Sequence, residues 1–261
     1  MAENHTNINS DFSISVKNLK KSFKNNEVLK GINFNVKKGE VLGILGLSGA
    51  GKTTLLRCLI GLETPDSGEL IINGKKINYN NKKINNEIGM VFQHFNLVPR
   101  TNVLTNVLMG RLPHINKNLL NKLGTYIGYF PKKDIEIAIK NIKKVGLENK
   151  VYDKISKLSG GQQQRVGIAR ALSTEATVLL ADEPVASLDP KTSEEILKLF
   201  IDISKNDNIS SIINLHQLDY AKKYCDRIIG LSNGQIVFNG SPKDIDEKTI
   251  KLIYGGRDED F

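Results

Sequence analysis

Apolar and polar residues alternate along FSISVKNLKKSF (residues 12–23) and along EVLKGINFNV (27–36). A period of two predicts strands, and the short polar gap between the runs predicts an antiparallel pair. EVLGILG (40–46) is an apolar run that ends on glycine and reads as a short strand, and KTTLLRCLIGL (52–62) continues as a helix. TPDSGELIINGKKI supplies a turn, a strand and a second turn signal at Asn73-Gly74. NEIGMVFQ (86–93) is a further buried strand.

From 94 to about 157 the pattern predicts no strands. TNVLTNVLMGRL (101–112) is helical with a Thr start, and KDIEIAIKNIKKVGL (133–147) is strongly amphipathic. Ile135, Ile139 and Ile142 share a face there, with lysines opposite and Gly146 suited to the C-cap. Between them lies LPHINKNLLNKLGTYIGYFP (112–131), rich in apolar and aromatic residues, so 94–157 reads as a helical insertion. Alternation of helix and strand then resumes: a helix from about 161, a strand at 177–182, a helix from about 191, a strand at 210–215 and a short helix. A closing hairpin spans 226–240 around Asn233-Gly234. No period of 20 to 50 residues repeats, so a solenoid is not expected. The expected organisation is α/β: residues 1–11 a flexible start, 12–255 a single domain with the helical part inserted, and 256–261 an acidic tail.

Composition narrows the class. A chain of 261 residues, 39% hydrophobic, can form one large α/β domain. Its unbroken apolar runs, such as VLLA at 178–181, are far too short to cross a bilayer, and MAENHTNINSDFS has no apolar segment of the kind a secretory signal needs. Cys58 and Cys225 lie far apart and in no metal spacing, which fits reduced thiols in a cytosolic protein. The net charge of +9 is uneven: residues 1–130 hold 17 Lys+Arg against 8 Asp+Glu, and residues 131–261 hold 20 against 20. A basic half suits nucleic acid or an anionic membrane surface, but these lysines lack interleaved aromatic residues, so no nucleic-acid partner is expected.

GLSGAGKT (46–53) matches G-x-x-x-x-G-K-[ST], with a strand before it and a helix after it. Gly46, Gly49 and Gly51 let the backbone wrap closely, so that N–H groups from Gly46, Leu47, Ser48, Gly49, Ala50, Gly51 and the start of the helix through Thr54 surround phosphate oxygens. Lys52 supplies a charge for the β- and γ-phosphates, and Thr53 a hydroxyl for Mg²⁺. The motif predicts a P-loop NTPase core. TVLLADEP (177–184) ends an apolar strand on two acids, whose burial is costly unless a cation or substrate uses them. Alternation along a strand would send Asp182 and Glu183 in different directions: Asp182 towards Mg²⁺, Glu183 towards the water that attacks the γ-phosphate. LSGGQQQR (158–165) is a second helix start with the chemistry of an anion site.

Taken in this order along nearly the whole chain, these motifs resemble the nucleotide-binding subunits of ABC transporters. The resemblance implies a RecA-like core with an antiparallel β subdomain and an inserted helical subdomain, binding ATP and Mg²⁺. LSGGQQQR resembles the family signature, which closes over ATP held by the P-loop of a second copy. Ser159, Gly160 and Gly161 would then face the γ-phosphate across a homodimer seam. Phe23 lies where an aromatic residue, more often tyrosine, stacks on adenine. Gln93 resembles the glutamine that reaches Mg²⁺ and the attacking water and links the core to the helical insertion. SLDP (187–190), with Asp189, resembles the loop that crosses the seam, and His216 in INLHQLD resembles the switch histidine. No motif is broken, so the resemblance implies an active ATPase.

Within that family, VFQHFNLVPRTNVLTNVLMGRL, GYFPKKD, LADEPVASLDP and NLHQLD look like the ATP-binding subunits of phosphonate importers. Such a subunit works at the cytoplasmic face of the cell membrane, with two integral-membrane permease subunits and an extracytoplasmic solute-binding protein. Other readings stay open: an importer ATPase for another small solute, an exporter ATPase, or a non-transport ABC ATPase acting on ribosomes or DNA. The single cassette, with no second copy in the chain and no long coiled-coil insertion, weighs against the last.

Overall fold

The computed structural model describes residues 11–79, 87–114 and 130–255. The polar start, the acidic tail and most of the 112–131 segment lie outside the described residues. The described chain forms two compact units, one from residues up to 85 together with 208 onwards, the other from 86–207.

In the first unit, β1 (Phe12–Phe23) and β2 (Asn26–Lys37) pair antiparallel, and β1 also pairs with β4 (Ser67–Ile72), which turns into the short β5 (Lys75–Lys76). Ile14, Leu19, Leu29, Val36 and Leu70 are fully enclosed, and the expected period of two is broken in β1 by a register shift between Val16 and Leu19. Beside this antiparallel layer runs a second sheet. Its β3 (Val41–Leu45) is flanked in parallel by β8 (Ser210–Asn214) and β9 (Arg227–Ser232), and β10 (Gln235–Gly240) closes a hairpin on β9. Strands β3 and β8 are buried at every position, as a parallel sheet covered on both faces demands. The hairpin turns are as expected: Asn73 and Gly74, and Asn233 and Gly234, all have positive φ. Helix α1 (Lys52–Ile60) follows β3. Beyond the closing hairpin, a last helix not expected from the sequence, Glu247–Tyr254, docks Ile253 onto Gly230 of β9.

In the second unit, β6 (Ile88–Val91) and β7 (Val178–Asp182) pair in parallel. Helices α2 (Val103–Leu108), α3 (Lys132–Lys144), α4 (Gly160–Leu172) and α5 (Pro190–Asn206) build its helical part. Phe200 on α5 is fully enclosed, a burial that contributes about 2–3 kcal/mol. Two sequence expectations shift here. The first helix is capped by Asn102, whose side chain accepts from the Thr105 N–H, rather than by Thr101. Helix α3 buries Asp134, Ala138, Asn141 and Ile142, while Ile139 is 40% exposed. Its polar residues go inward because they have partners there. Arg111 Nε donates to Asp134 at 2.8 Å, and Asn141 Nδ2 donates to Ser173 Oγ at 3.0 Å.

The Arg111 side chain, 3% exposed, also donates to Ser173 O at 2.8 Å and to Glu175 at 2.6 Å. It thereby ties a 3-10 turn (Met109–His114), the start of α3 and the end of α4 together. No helix among the described residues is long and apolar enough to cross a membrane.

Candidate nucleotide site

Residues 46–53 wrap the gap between β3 and α1. A Cβ on Gly46 would stand 2.2 Å from Leu231 O, and one on Gly51 3.0 Å from Val28 O, so at both positions only glycine fits the backbone approach. Both also have positive φ. A Cβ on Gly49, by contrast, would meet nothing within 4 Å, so the outer edge of the loop is open. Lys52 is 4% exposed and spans the loop from inside, its Nζ donating to Gly46 O at 2.7 Å and Leu47 O at 3.2 Å. The first turn of α1 has no side-chain cap and no acidic residue. A cradle of backbone N–H groups, a helix start and a buried lysine fits a polyphosphate and fits a cation poorly.

Strand register places a second candidate beside it. Ile44 of β3 pairs with Asn214 of β8, so Gly46 and His216 each lie two residues beyond the same step of a parallel ladder. The Leu215 N–H donates to Ile44 O at 3.1 Å, holding the two strand ends together. His216 is exposed, and its carbonyl accepts from the Tyr254 hydroxyl at 3.3 Å. Sequence reading missed Tyr254. The available signal was Asp246, which caps the last helix by accepting from the Thr249 N–H. Phe23 ends β1, is 43% exposed, and has Lys21 Nζ 5.0 Å from its ring centroid.

The second unit repeats the register logic. Val91 of β6 pairs with Ala181 of β7, so Gln93 and Glu183 are each two residues past a paired step. Asp182 is the buried last residue of the strand. Glu183 has φ 48°, a left-handed conformation that costs a non-glycine residue on the order of 1 kcal/mol. That backbone turn, rather than strand alternation, sets the course of Glu183. Strain of this kind concentrates at working residues.

Ser159 caps α4 through a full capping box. Its Oγ accepts from the Gln162 N–H at 3.3 Å, and Gln162 Oε1 accepts from the Ser159 N–H at 3.1 Å. The two glycines that follow pack against the SLDP loop and α5. A Cβ on Gly160 would stand 3.1 Å from Leu188 Cδ2, and one on Gly161 2.5 Å from Thr192 Cγ2. Asp189 caps α5 by accepting from the Thr192 N–H at 3.0 Å. Hydrogen bonds from the Thr192 side chain, and then from its backbone, hold the exposed Asp189 carboxyl below its usual range.

The candidates thus divide between the units. Phe23, residues 46–54 and His216 belong to the first; Gln93, Ser159–Gly161, Asp182, Glu183 and Asp189 belong to the second. Among the described residues no three His, Cys, Asp or Glu side chains gather as a metal cage. Thr53 in the first unit, and Gln93 and Asp182 in the second, each carry an oxygen of the kind Mg²⁺ takes.

The ABC transporter family model matches residues 29–186. The Phosphonates import ATP-binding protein PhnC of Thiobacillus denitrificans is 46% identical over 244 residues, spanning 93% of this chain and 92% of that one. Among solved structures, cbiO1 of Clostridium perfringens, part of the ABC transporter complex cbiONQ, is 33% identical with a TM-score of 0.78, over 93% of this chain and 94% of that one. The dimeric ATP-binding cassette MJ0796, bound to ADP and Pi in a post-hydrolysis state, is 33% identical with a TM-score of 0.72, over 89% of this chain and all of that one. With its glycine loop, its strand-end acids and its capped LSGGQ helix set out in the same fold, the chain belongs to the ABC transporter family, as an ATP-binding cassette.

Proposed function

We propose that this cassette is the ATP-hydrolysing subunit of a phosphonate importer. The reading rests on the 46% identity to a phosphonate import ATP-binding protein over nine-tenths of both chains. It is supported by a cradle whose buried Lys52 and uncapped helix start suit the triphosphate. In this reading residues 12–255 act as one ATPase domain with the helical part inserted near 94–157.

Two copies form a homodimer around two ATP. The glycine loop with Lys52 holds the β- and γ-phosphates of one nucleotide, and Ser159, Gly160 and Gly161 of the other copy meet its γ-phosphate. Phe23 stacks on the adenine. Thr53, Gln93 and Asp182 would hold Mg²⁺, which would supply positive charge against the phosphates. Glu183 takes a proton from the attacking water, His216 contacts the γ-phosphate, and Asp189 lies at the seam. Two permease subunits carry the membrane path, a solute-binding protein delivers the phosphonate, and the cassette sits peripherally on the cytoplasmic face.

Co-purification of the intact complex tests this, with ATPase measured with and without phosphonate-loaded binding protein. Hydrolysis should rise several-fold with a phosphonate and not with phosphate or an amino acid. Glu183→Gln should abolish turnover by at least about a hundredfold, keep ATP binding and trap the dimer. Stimulation by an unrelated solute alone would overturn the substrate, and parental hydrolysis by Glu183→Gln would overturn the role of Glu183.

A further inference from the structure

Gln164 lies in the second turn of α4, two residues past the capping box. It is fully buried, and among the described residues neither its Oε1 nor its Nε2 has a hydrogen-bond partner. A buried primary amide with both ends unsatisfied is costly, and an apolar residue of the same shape would suit this arrangement better. The residue therefore calls for a partner other than the described side chains and backbone groups around it.

Gly167 shows where that partner lies. A Cβ added there would stand 3.8 Å from Gln164 Oε1 and 4.0 Å from Phe95 O, both ordinary contacts. Gly160 and Gly161, on the same helix, could not take a side chain without displacing Leu188 or Thr192. Gly167 could, and alanine is the better helix former. The arrangement seen thus does not explain this glycine, which keeps open the passage between the Gln164 amide and the loop after Gln93.

That loop is itself held under strain. Phe95 and Asn96 both have positive φ (53° and 49°), and for phenylalanine this is a rare conformation. Arg170, two turns along α4 from Gln163, pins it: its guanidinium donates to Phe95 O at 2.8 Å and to Asn96 O at 2.5 Å. A strained loop and an unsatisfied amide face each other across a helix position left without a side chain.

We infer that Gln164 is a positioning residue whose side-chain amide pairs with the backbone of the 93–97 loop during turnover, through the gap that Gly167 leaves. The inference rests on the proposed role of Gln93 at the nucleotide. Arg170 holds the loop in the resting arrangement, and Gln164 receives it in the other, so the position of Gln93 switches between two held states.

The test uses the full chain with Gln164→Met and, separately, Gly167→Ala. Both should raise the nucleotide-free melting midpoint by about 2–4 °C, because one removes the unsatisfied amide and the other a helical glycine. Both should lower kcat for ATP at least about fivefold, with KM changed less than about twofold. Opposite signs in stability and turnover are the signature that ordinary packing would not produce. Gln93→Ala is the reference. If it hydrolyses ATP at the parental rate, the role of Gln93 fails and takes the inference with it. If Gln93→Ala is slow but Gln164→Met keeps the parental kcat, the inference alone is overturned. A fall in both midpoint and kcat for Gln164→Met overturns it too, since Gln164 would then be held in the resting state.

Discussion

The starts of α1 and α4 are both glycine-rich helix N-termini, and they are built differently. At α1 the chain supplies no capping side chain, and the loop closes around a buried lysine. At α4 a capping box satisfies the helix from within, and the glycines are spent on packing against the SLDP loop and α5. The first is a site with donors to offer on its own. The second is a finished helix end that exposes a serine, and it becomes an anion site only when something is brought to it. This difference supports the two roles proposed above: the α1 cradle for holding nucleotide, the α4 start for meeting a nucleotide held by another copy.

Lys52→Ala is the largest expected break in this comparison. Removing a charge-assisted partner of the phosphates should weaken ATP binding by about 10–100-fold, read by equilibrium binding to the isolated chain. Unchanged affinity would mean that the α1 cradle is not the primary site. The same measurement on any Ser159 variant should show no loss if, as proposed, the α4 start meets only the nucleotide of another copy.

The unequal construction also explains what the sequence could reveal. GLSGAGKT was legible because its chemistry and its backbone demand sit in eight consecutive residues. The strands were legible because β2 alternates in burial from Gly31 to Lys37 and β3 and β8 are buried throughout, as half-covered and fully covered sheets require. The buried face of α3 was not, since Asp134 is drawn inward by Arg111, 23 residues earlier, and Asn141 by Ser173, 32 residues later. The turn of Glu183 out of its strand was hidden for a related reason: a glutamate carries no sequence sign of a positive φ. Tyr254 under His216 requires two strand ends and a last helix to be placed before the contact exists.

Ser159 allows a smaller, sharper break, because cap and function can be separated. Aspartate caps a helix as well as serine does, so Ser159→Asp should leave the melting midpoint where it is. Its charge would repel the γ-phosphate across the seam, and ATP-driven dimerisation should weaken at least about tenfold. Ser159→Ala should do the reverse in part, costing about 1 kcal/mol of stability through the lost cap. If Ser159→Asp dimerises with ATP as the parent does, α4 is only a capped helix.

The smallest expected effect concerns the other end of α4, where Arg111 joins Ser173 O to the Glu175 carboxylate. Hydrogen bonding from Arg111 is the main cause that holds the Glu175 carboxyl below its ordinary value of 4.5. A carboxyl that binds its proton less tightly when folded lends stability that is complete above the unfolded value and is lost as pH falls through the folded one. Glu175→Gln should therefore cost a constant amount from pH 7 to about pH 5, and the difference from the parent should shrink towards pH 3. Because the Glu175 side chain is 52% exposed, solvent screening keeps that cost below about 1 kcal/mol. Arg111→Met would cost more, about 3 kcal/mol, since it leaves the buried Asp134 without its cation. Denaturant melts of both variants across this pH range separate the two partners of Arg111. A Glu175→Gln difference that persisted unchanged to pH 3 would mean that the pairing with Glu175 does not hold this end of α4, leaving Asp134 and Ser173 as the groups through which Arg111 anchors it.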